Sequence, residues 1–383
     1  MTQIAFRPAF MAHRGFVPLA DWWHRVDRVS LFLVMLLCAF GIVFSFAASM
    51  ALAERHELWV WTYVLKQTVF ALAAISAMIV LSMAGPVLVR RVGVALFVIF
   101  AIALGLLPVF GTDYGKGAVR WFSLGIGSLQ PSEFLKAGFA VFAAWLISGS
   151  VLDRRFPGLA ISAAFTMFVT GCLVLQPDFG QAGVILMIWT SLFFVSGGAL
   201  WGLALVGGLA ASAAGLAYTL SDHVARRIDG YLSQEVEVNS QLFYAQEAII
   251  RGGLIGTGPT SGRIKDTLPD AHTDFIIAVI AEEYGFLMVA MICLLYLLVI
   301  LRSLYRLSRS QNVFLLLAGV GIITQFSVQI MINLGVATRL LPAKGITLPF
   351  LSYGGSSTLS AGIAMGLLLA ATRDMVESEE RPQ

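Results

Sequence analysis

Ten stretches of mainly apolar residues follow one another along this chain, near residues 29–51, 59–83, 92–110, 132–149, 158–175, 181–197, 199–220, 274–301, 313–335 and 352–372. Each approaches the ~20 residues a helix needs to cross a hydrocarbon core. In that medium only helices and closed barrels satisfy every backbone N–H and C=O. The sequence therefore predicts an all-α polytopic integral membrane protein of about ten transmembrane helices. With 58% hydrophobic and 12% charged residues, the chain has too little polar surface for a soluble fold. Only the pair Gly197-Gly198 divides the sixth run from the seventh, so that break rests on turn chemistry rather than on a fall in hydrophobicity. The first run, Val29 to Ala53, exceeds the apolar region of a cleaved signal peptide (about 7 to 15 residues) and reads as a retained anchor.

Orientation follows from the arginines. Arg7, Arg14, Arg25 and Arg28 precede the first run, and Arg90 with Arg91, Arg154 with Arg155, and Arg302, Arg306 and Arg309 fall at alternate connections on the same side. Cytoplasmic loops carry that excess, so both termini are expected in the cytoplasm. Residues 1–28 then form a cytoplasmic N-terminal segment, 29–372 the transmembrane domain and 373–383 a cytoplasmic tail. The longer loops, about 111–131, 221–273 and 334–351, face the other side, the largest lying between transmembrane helices 7 and 8. They hold Lys116, Arg120, Arg226, Arg227, Arg251, Arg263, Lys265, Arg339 and Lys344, against the usual charge bias. An anionic ligand would explain that set, although long translocated loops also tolerate charge.

Several chemistries find no support. The formal charge of +3 is too small to suggest nucleic acid. Cys38, Cys172 and Cys293 lack the spacing of a metal or disulfide framework, and the five histidines include no i,i+4 pair. A phosphate-binding GxxxxGK[ST] motif is missing too, so nothing points to ATP-driven transport.

Three loop clusters carry polar residues at membrane depth. The first contains Arg120-Trp121-Phe122 and then Gln130-Pro131-Ser132-Glu133-Phe134-Leu135-Lys136. Pro131 suits a first helical position, which puts Glu133 and Lys136 on one face, three residues apart. That is either a carboxylate at a favourable helix end paired with its lysine, or the wall of a polar cavity. Gln176-Pro177-Asp178 repeats the pattern, with helix capping the plainer role for Asp178. The second cluster runs from the glycine-rich Arg251–Gly258 through Lys265 to His272-Thr273-Asp274, with Glu282 and Glu283 beyond. Glycine amides there suit phosphate oxygens, and acids at the hydrocarbon boundary suggest function. Asp274 also reads as an N-cap and His272 as an interfacial loop residue. In the third, Asn333-Leu334-Gly335, Leu341-Pro342-Ala343-Lys344-Gly345 and Ser352-Tyr353-Gly354-Gly355 interrupt an apolar region, so irregular backbone must be buried in protein or line a wet cavity. Lys344 is the natural anion contact in that cluster.

Through Gly117–Lys136, Leu268–Gly285 and Leu341–Ser357 the chain resembles the SEDS family of bacterial cell-wall glycosyltransferases, its division branch more than its elongation branch. The resemblance implies polymerisation of lipid II, an undecaprenyl-diphosphate disaccharide-pentapeptide, into glycan strands during septal wall synthesis. It places the chain in the bacterial inner membrane at the division septum. By the same carry-over, Asp274 is the catalytic residue, and the substrate-binding set comprises Arg120, Trp121, Glu133, Lys136, Lys265, His272, Lys344 and Ser352. Implied partners are a class B penicillin-binding protein, which acts as transpeptidase, and other divisome membrane proteins. Arg339, where the family usually has a small residue, and Pro259-Thr260, within a glycine-rich pattern, depart from it. Glycosyl transfer needs a base for the acceptor hydroxyl and positive charge for the departing diphosphate, for which basic residues and a divalent cation such as Mg2+ or Mn2+ are the candidate sources. No metal ligands are assigned. The competing readings are a lipid II flippase or transporter and a membrane scaffold of the divisome.

Overall fold

The computed structural model describes residues 15–55, 57–59, 61–112, 119–123, 127–199, 241–264, 267–268, 270–341 and 345–373, with isolated residues between 202 and 219. Its helices are α1 (Leu19–Arg25), α2 (Arg28–Arg55), α3 (Thr62–Ser82), α4 (Pro86–Phe110), α5 (Pro131–Leu152), α6 (Gly158–Leu175), α7 (Phe179–Val195), α8 (Gln241–Gly252), α9 (Ile276–Leu307), α10 (Val313–Ala337) and α11 (Gly355–Ala371). A small antiparallel hairpin, β1 (Phe122–Ser123) with β2 (Ser128–Leu129), sits between α4 and α5. Among the described residues, seven helices are long and apolar enough to cross a membrane: α2, α3, α4, α5, α6, α9 and α10. The apolar helices α7 and α11 are shorter.

Local chemistry sets the starts. Pro86 and Pro131 occupy first-turn positions, where a missing N–H is harmless and φ is already helical. Asp178 and Asn312 cap α7 and α10, accepting from Gln181 N and Leu315 N.

Two helices form the centre. In α5 and α10, 72% and 67% of the apolar stretch is buried by protein, against 22% in α4. α5 packs on α4, α6, α7, α10 and α11, and α10 additionally on α7, α9 and α11. Their inward faces therefore meet other helices, and polar side chains on them are shielded from lipid. α3 lies against α11, and α8 against α9.

The structure departs from the sequence reading in three places. Arg90 and Arg91 lie within α4, and Arg302 and Arg306 within α9, rather than in connections. A helix can run past the hydrocarbon edge because long arginine stems carry the charge to the interface. The expected 221–273 loop contains a helix, α8, and the 111–131 loop contains the hairpin. Most of the expected 199–220 span, and with it the count of ten, lies outside the described residues, as do Lys265 and Lys344.

Candidate active site

Asp274 lies in a tight turn just before α9, where the N–H groups of Thr273, Asp274 and Phe275 all donate to Asp270 O at 3.1, 3.1 and 3.4 Å. The N-cap position of α9 is Phe275, not Asp274, which weakens the capping alternative for this carboxylate. The turn is tied to the segment before α11. Ser352 Oγ donates to Thr273 O at 2.5 Å and accepts from Leu348 N at 2.9 Å, while Tyr353 N donates to His272 O at 2.9 Å. A Cβ added at Gly345 would lie 3.2 Å from Asp274 Oδ2, so the carboxylate rests against a wall that glycine leaves open.

His272 packs beside two phenols. Its ring centroid lies 6.3 Å from Tyr63 and 5.7 Å from Tyr353, and the two tyrosines meet edge to face at 5.4 Å.

The second cluster lies within the bundle. Lys136 Nζ donates to Glu133 Oε1 at 2.9 Å, and Gln181 Nε2 donates to the same oxygen at 2.7 Å. Ser360 Oγ on α11 donates to Glu133 O at 2.6 Å. Asp178 caps α7 through Gln181 N, as its position before that helix suggests. Burial holds the Asp178 carboxyl above the usual carboxylate range, against the opposing pull of Arg120, the Gln181 N–H and Lys136. Arg120 braces the same corner, its Nε and Nη2 donating to Gln176 O at 3.2 Å and Pro177 O at 2.5 Å. Trp121 O accepts from Thr112 N at 2.8 Å, closing the base of the hairpin.

Beside Glu133 is a cavity of about 10 Å³ lined by Glu133, Gln325, Gln329, Thr347, Ser357 and Ser360. That is room for about one water. Segment 345–357 thus reaches both sites, with Gly345 at Asp274 and Thr347 and Ser357 at the Glu133 cavity. Gln181, Ser360, Gln325 and Gln329 did not enter the sequence-derived site, and Asn333 was noted in the third cluster without a role. The signal was there for α10: Gln325, Gln329 and Asn333 recur every four residues in an apolar run, on one helix face.

The glycine-rich loop and the residues that follow it dock on the start of α9. Arg263 N and Ile264 N donate to Glu282 Oε1 at 2.8 and 3.1 Å, and Thr260 N donates to Glu283 Oε2 at 3.0 Å. Thr257 N and Gly258 N take the backbone carbonyls of Glu282 and Glu283. These amides are committed, and the two acids anchor the loop onto α9.

No group of three His, Cys, Asp or Glu side chains that could hold a metal occurs among the described residues.

A profile of the FtsW/RodA/SpoVE cell cycle proteins matches residues 27–376. The chain belongs to this family. An FtsW/RodA/SpoVE relative from Caulobacter vibrioides is 35% identical over 93% of this chain and 91% of its own length. Another from Bacillus subtilis is 31% identical over 93% and 92%. Both bear the name probable peptidoglycan glycosyltransferase FtsW. Two solved structures share the fold of this FtsW/RodA/SpoVE chain. One, described under structural coordination of polymerization and crosslinking by a peptidoglycan synthase complex, gives a TM-score of 0.74 at 28% identity, covering 91% of this chain and 97% of that one. The other, the Thermus thermophilus rod shape determining protein RodA, gives 0.66 at 26% identity with the same coverage.

Proposed function

We propose that this chain is a multi-pass protein of the bacterial inner membrane that polymerises lipid II into peptidoglycan glycan strands during septal wall synthesis. The observation that carries the reading is the placement of Asp274. It stands at the head of a membrane helix, against the open wall at Gly345, in a turn bonded on two sides to the segment before α11.

In this reading Asp274 takes the proton of the acceptor hydroxyl as that oxygen bonds to the donor's anomeric carbon. The bond from that carbon to the diphosphate breaks, and its electrons leave with the diphosphate. One displacement inverts the anomeric configuration, without a covalent intermediate. Lys265 and Lys344 supply positive charge for the departing group. Trp121, His272 and Ser352 belong to the substrate-binding set, Ser352 by holding the turn that carries Asp274, while Arg120 and the Glu133–Lys136 pair hold the polar interior in place. A divalent cation, Mg2+ or Mn2+, is part of the proposal: the Asp274 carboxylate would be its protein ligand, and it would supply further positive charge for the departing diphosphate.

The reading also includes about ten spans, with both termini in the cytoplasm and the long loops outside. The partner is a class B penicillin-binding protein supplying transpeptidation, within a set of divisome membrane proteins at the septum.

A lipid II flippase is the competing reading, suggested by charged residues inside the bundle. The test is direct. Purified chain in detergent, with and without its class B partner, should convert lipid II to glycan strands, faster with the partner. Lipid II transfer across vesicle membranes with no polymer formed would replace the proposal with the flippase.

A further inference from the structure

We propose that Asn333 is a positioning residue for the Asp274 carboxylate; this deepens the glycosyl-transfer reading and rests on Asp274 being its base. Asn333 stands near the end of α10, 2% exposed, on a helix that is otherwise mostly apolar. Its amide nitrogen has two hydrogens, and each goes to the carbonyl of a different segment. Nδ2 donates to Asp274 O at 3.0 Å and to Ile346 O at 2.8 Å. Ile346 follows Gly345, the residue against which Asp274 Oδ2 rests. One side chain therefore fixes both the backbone that carries the carboxylate and the wall the carboxylate faces.

The other end of the amide strengthens the case. Asn333 Oδ1 is buried and finds no hydrogen-bond partner among the described residues. A buried polar atom without a partner is destabilising, and leucine would fill a similar volume without one. Packing alone does not account for an amide here. What asparagine adds is the pair of donors, aimed at the two segments whose separation sets the site. Neighbouring contacts also show why losing Asn333 should displace the turn rather than unfold it. Ser352 Oγ to Thr273 O and Tyr353 N to His272 O still join the same segments one and two residues away from Asp274. Catalysis is sensitive to such displacements, since a shift of about 1 Å in a reacting group can cost ~100-fold in rate.

The test uses full-length protein with its class B partner and lipid II as substrate, comparing N333L, N333S and D274N. N333L removes both donors, and N333S is a smaller change that keeps one. Asn333→Leu should lower kcat by about 10- to 100-fold, leave KM for lipid II within about twofold, and move the acid limb of the kcat–pH profile. Asn333→Ser should recover part of kcat. A purely structural role would only reduce the amount of active protein, scaling the profile without moving its limb. An unmoved limb, or kcat within about twofold of wild type, in N333L beside an inactive D274N overturns the positioning role alone. If N333L does not fold, the same limb shift must appear in N333S, and its absence overturns the proposal equally. A fully active D274N removes the base assignment beneath it, a different result from a silent Asn333 variant.

Discussion

Lys136 Nζ lies 2.9 Å from Glu133 Oε1, one turn away on α5, with 0% and 6% of the two side chains exposed. Taking both ions out of water is unfavourable, and their mutual attraction offsets it only while each has the other. Removing one partner strands a buried charge. Lys136→Met should therefore destabilise the fold by about 3 to 5 kcal/mol, whereas the double variant Glu133→Gln/Lys136→Met should lose much less. Reversing one charge should be worse than neutralising both. Thermal midpoints in detergent compare the variants. If both single neutral substitutions keep full polymerase activity in folded protein, the pair has no part in the site.

Asp274→Asn should fold and insert normally yet lose polymerisation by ~100- to 10,000-fold, the usual range for removing a general base. The amide keeps the shape of the carboxylate but cannot accept the hydroxyl proton. Because Phe275 holds the N-cap position of α9, little stability should be lost with the charge. Turnover of lipid II, measured beside the thermal midpoint, separates the two effects. Near-normal turnover would return Glu133 and Asp178 to consideration as the base.

The long helices α2 to α6, α9 and α10 were legible because a hydrocarbon core imposes length and apolarity on each one separately, whereas the short α1 and α8 carry no such run. Glu133 with Lys136 was legible for a similar reason, since both lie on one turn of one helix. Contacts between distant segments were not. Arg120 reads as a free cation until the fold brings Gln176 and Pro177, more than fifty residues on, to its guanidinium. Glu282 and Glu283 read as site acids until a loop about twenty residues earlier delivers its amides to them. Charge type and local spacing are written in the chain; the partner that uses them comes only with folding.

Asp27, just before α2, gathers a second ionic knot. Arg302 Nε lies 2.7 and 2.9 Å from its two oxygens, Arg306 Nε 3.4 Å away, and Ser30 Oγ donates at 2.7 Å. Burial pushes the carboxyl up, but Arg302, Ser30 and Arg306 together outweigh it and leave the pKa below the ordinary 3.8. A pKa lowered on folding means that the knot contributes fully above the unfolded value and is lost as pH falls through the folded one. Wild type should therefore lose stability on acidification below about pH 4, and Asp27→Asn should flatten that part of the profile. At neutral pH the substitution should cost about 1 to 3 kcal/mol, toward the low end because Arg302 and Arg306 side chains are 37% and 20% exposed and can be hydrated. Melting midpoints taken from pH 7 downward test both statements; an unchanged acid slope in the variant would assign the loss to other groups.

Thr260 and Gly285 share a left-handed backbone, φ 63° and 80°, yet substitution should move stability in opposite directions. Thr260 is exposed, and a β-branched residue at positive φ is strained by roughly 1 to 2 kcal/mol, which glycine would relieve. Glycine also loosens the unfolded chain by about 0.4 to 1 kcal/mol, so the net gain for Thr260→Gly should be near 0.5 to 1 kcal/mol. The bond from residue 260 N to Glu283 Oε2 survives, because it uses only backbone. Gly285 interrupts α9 at the point where the glycine-rich loop crosses it. A Cβ there would lie 2.4 Å from both Gly256 N and Leu254 O, and neither is the end of a flexible side chain. Gly285→Ala must push the loop off α9 and break its ladder, including Phe286 N to Gly253 O at 2.9 Å and Gly258 N to Glu283 O at 3.0 Å. A loss of about 3 kcal/mol or more is expected, from strained φ and lost hydrogen bonds together. Thermal midpoints of the two variants, measured in one detergent, should lie on either side of wild type. A stable Gly285→Ala would mean that the loop packs on α9 less closely than the backbone distances state.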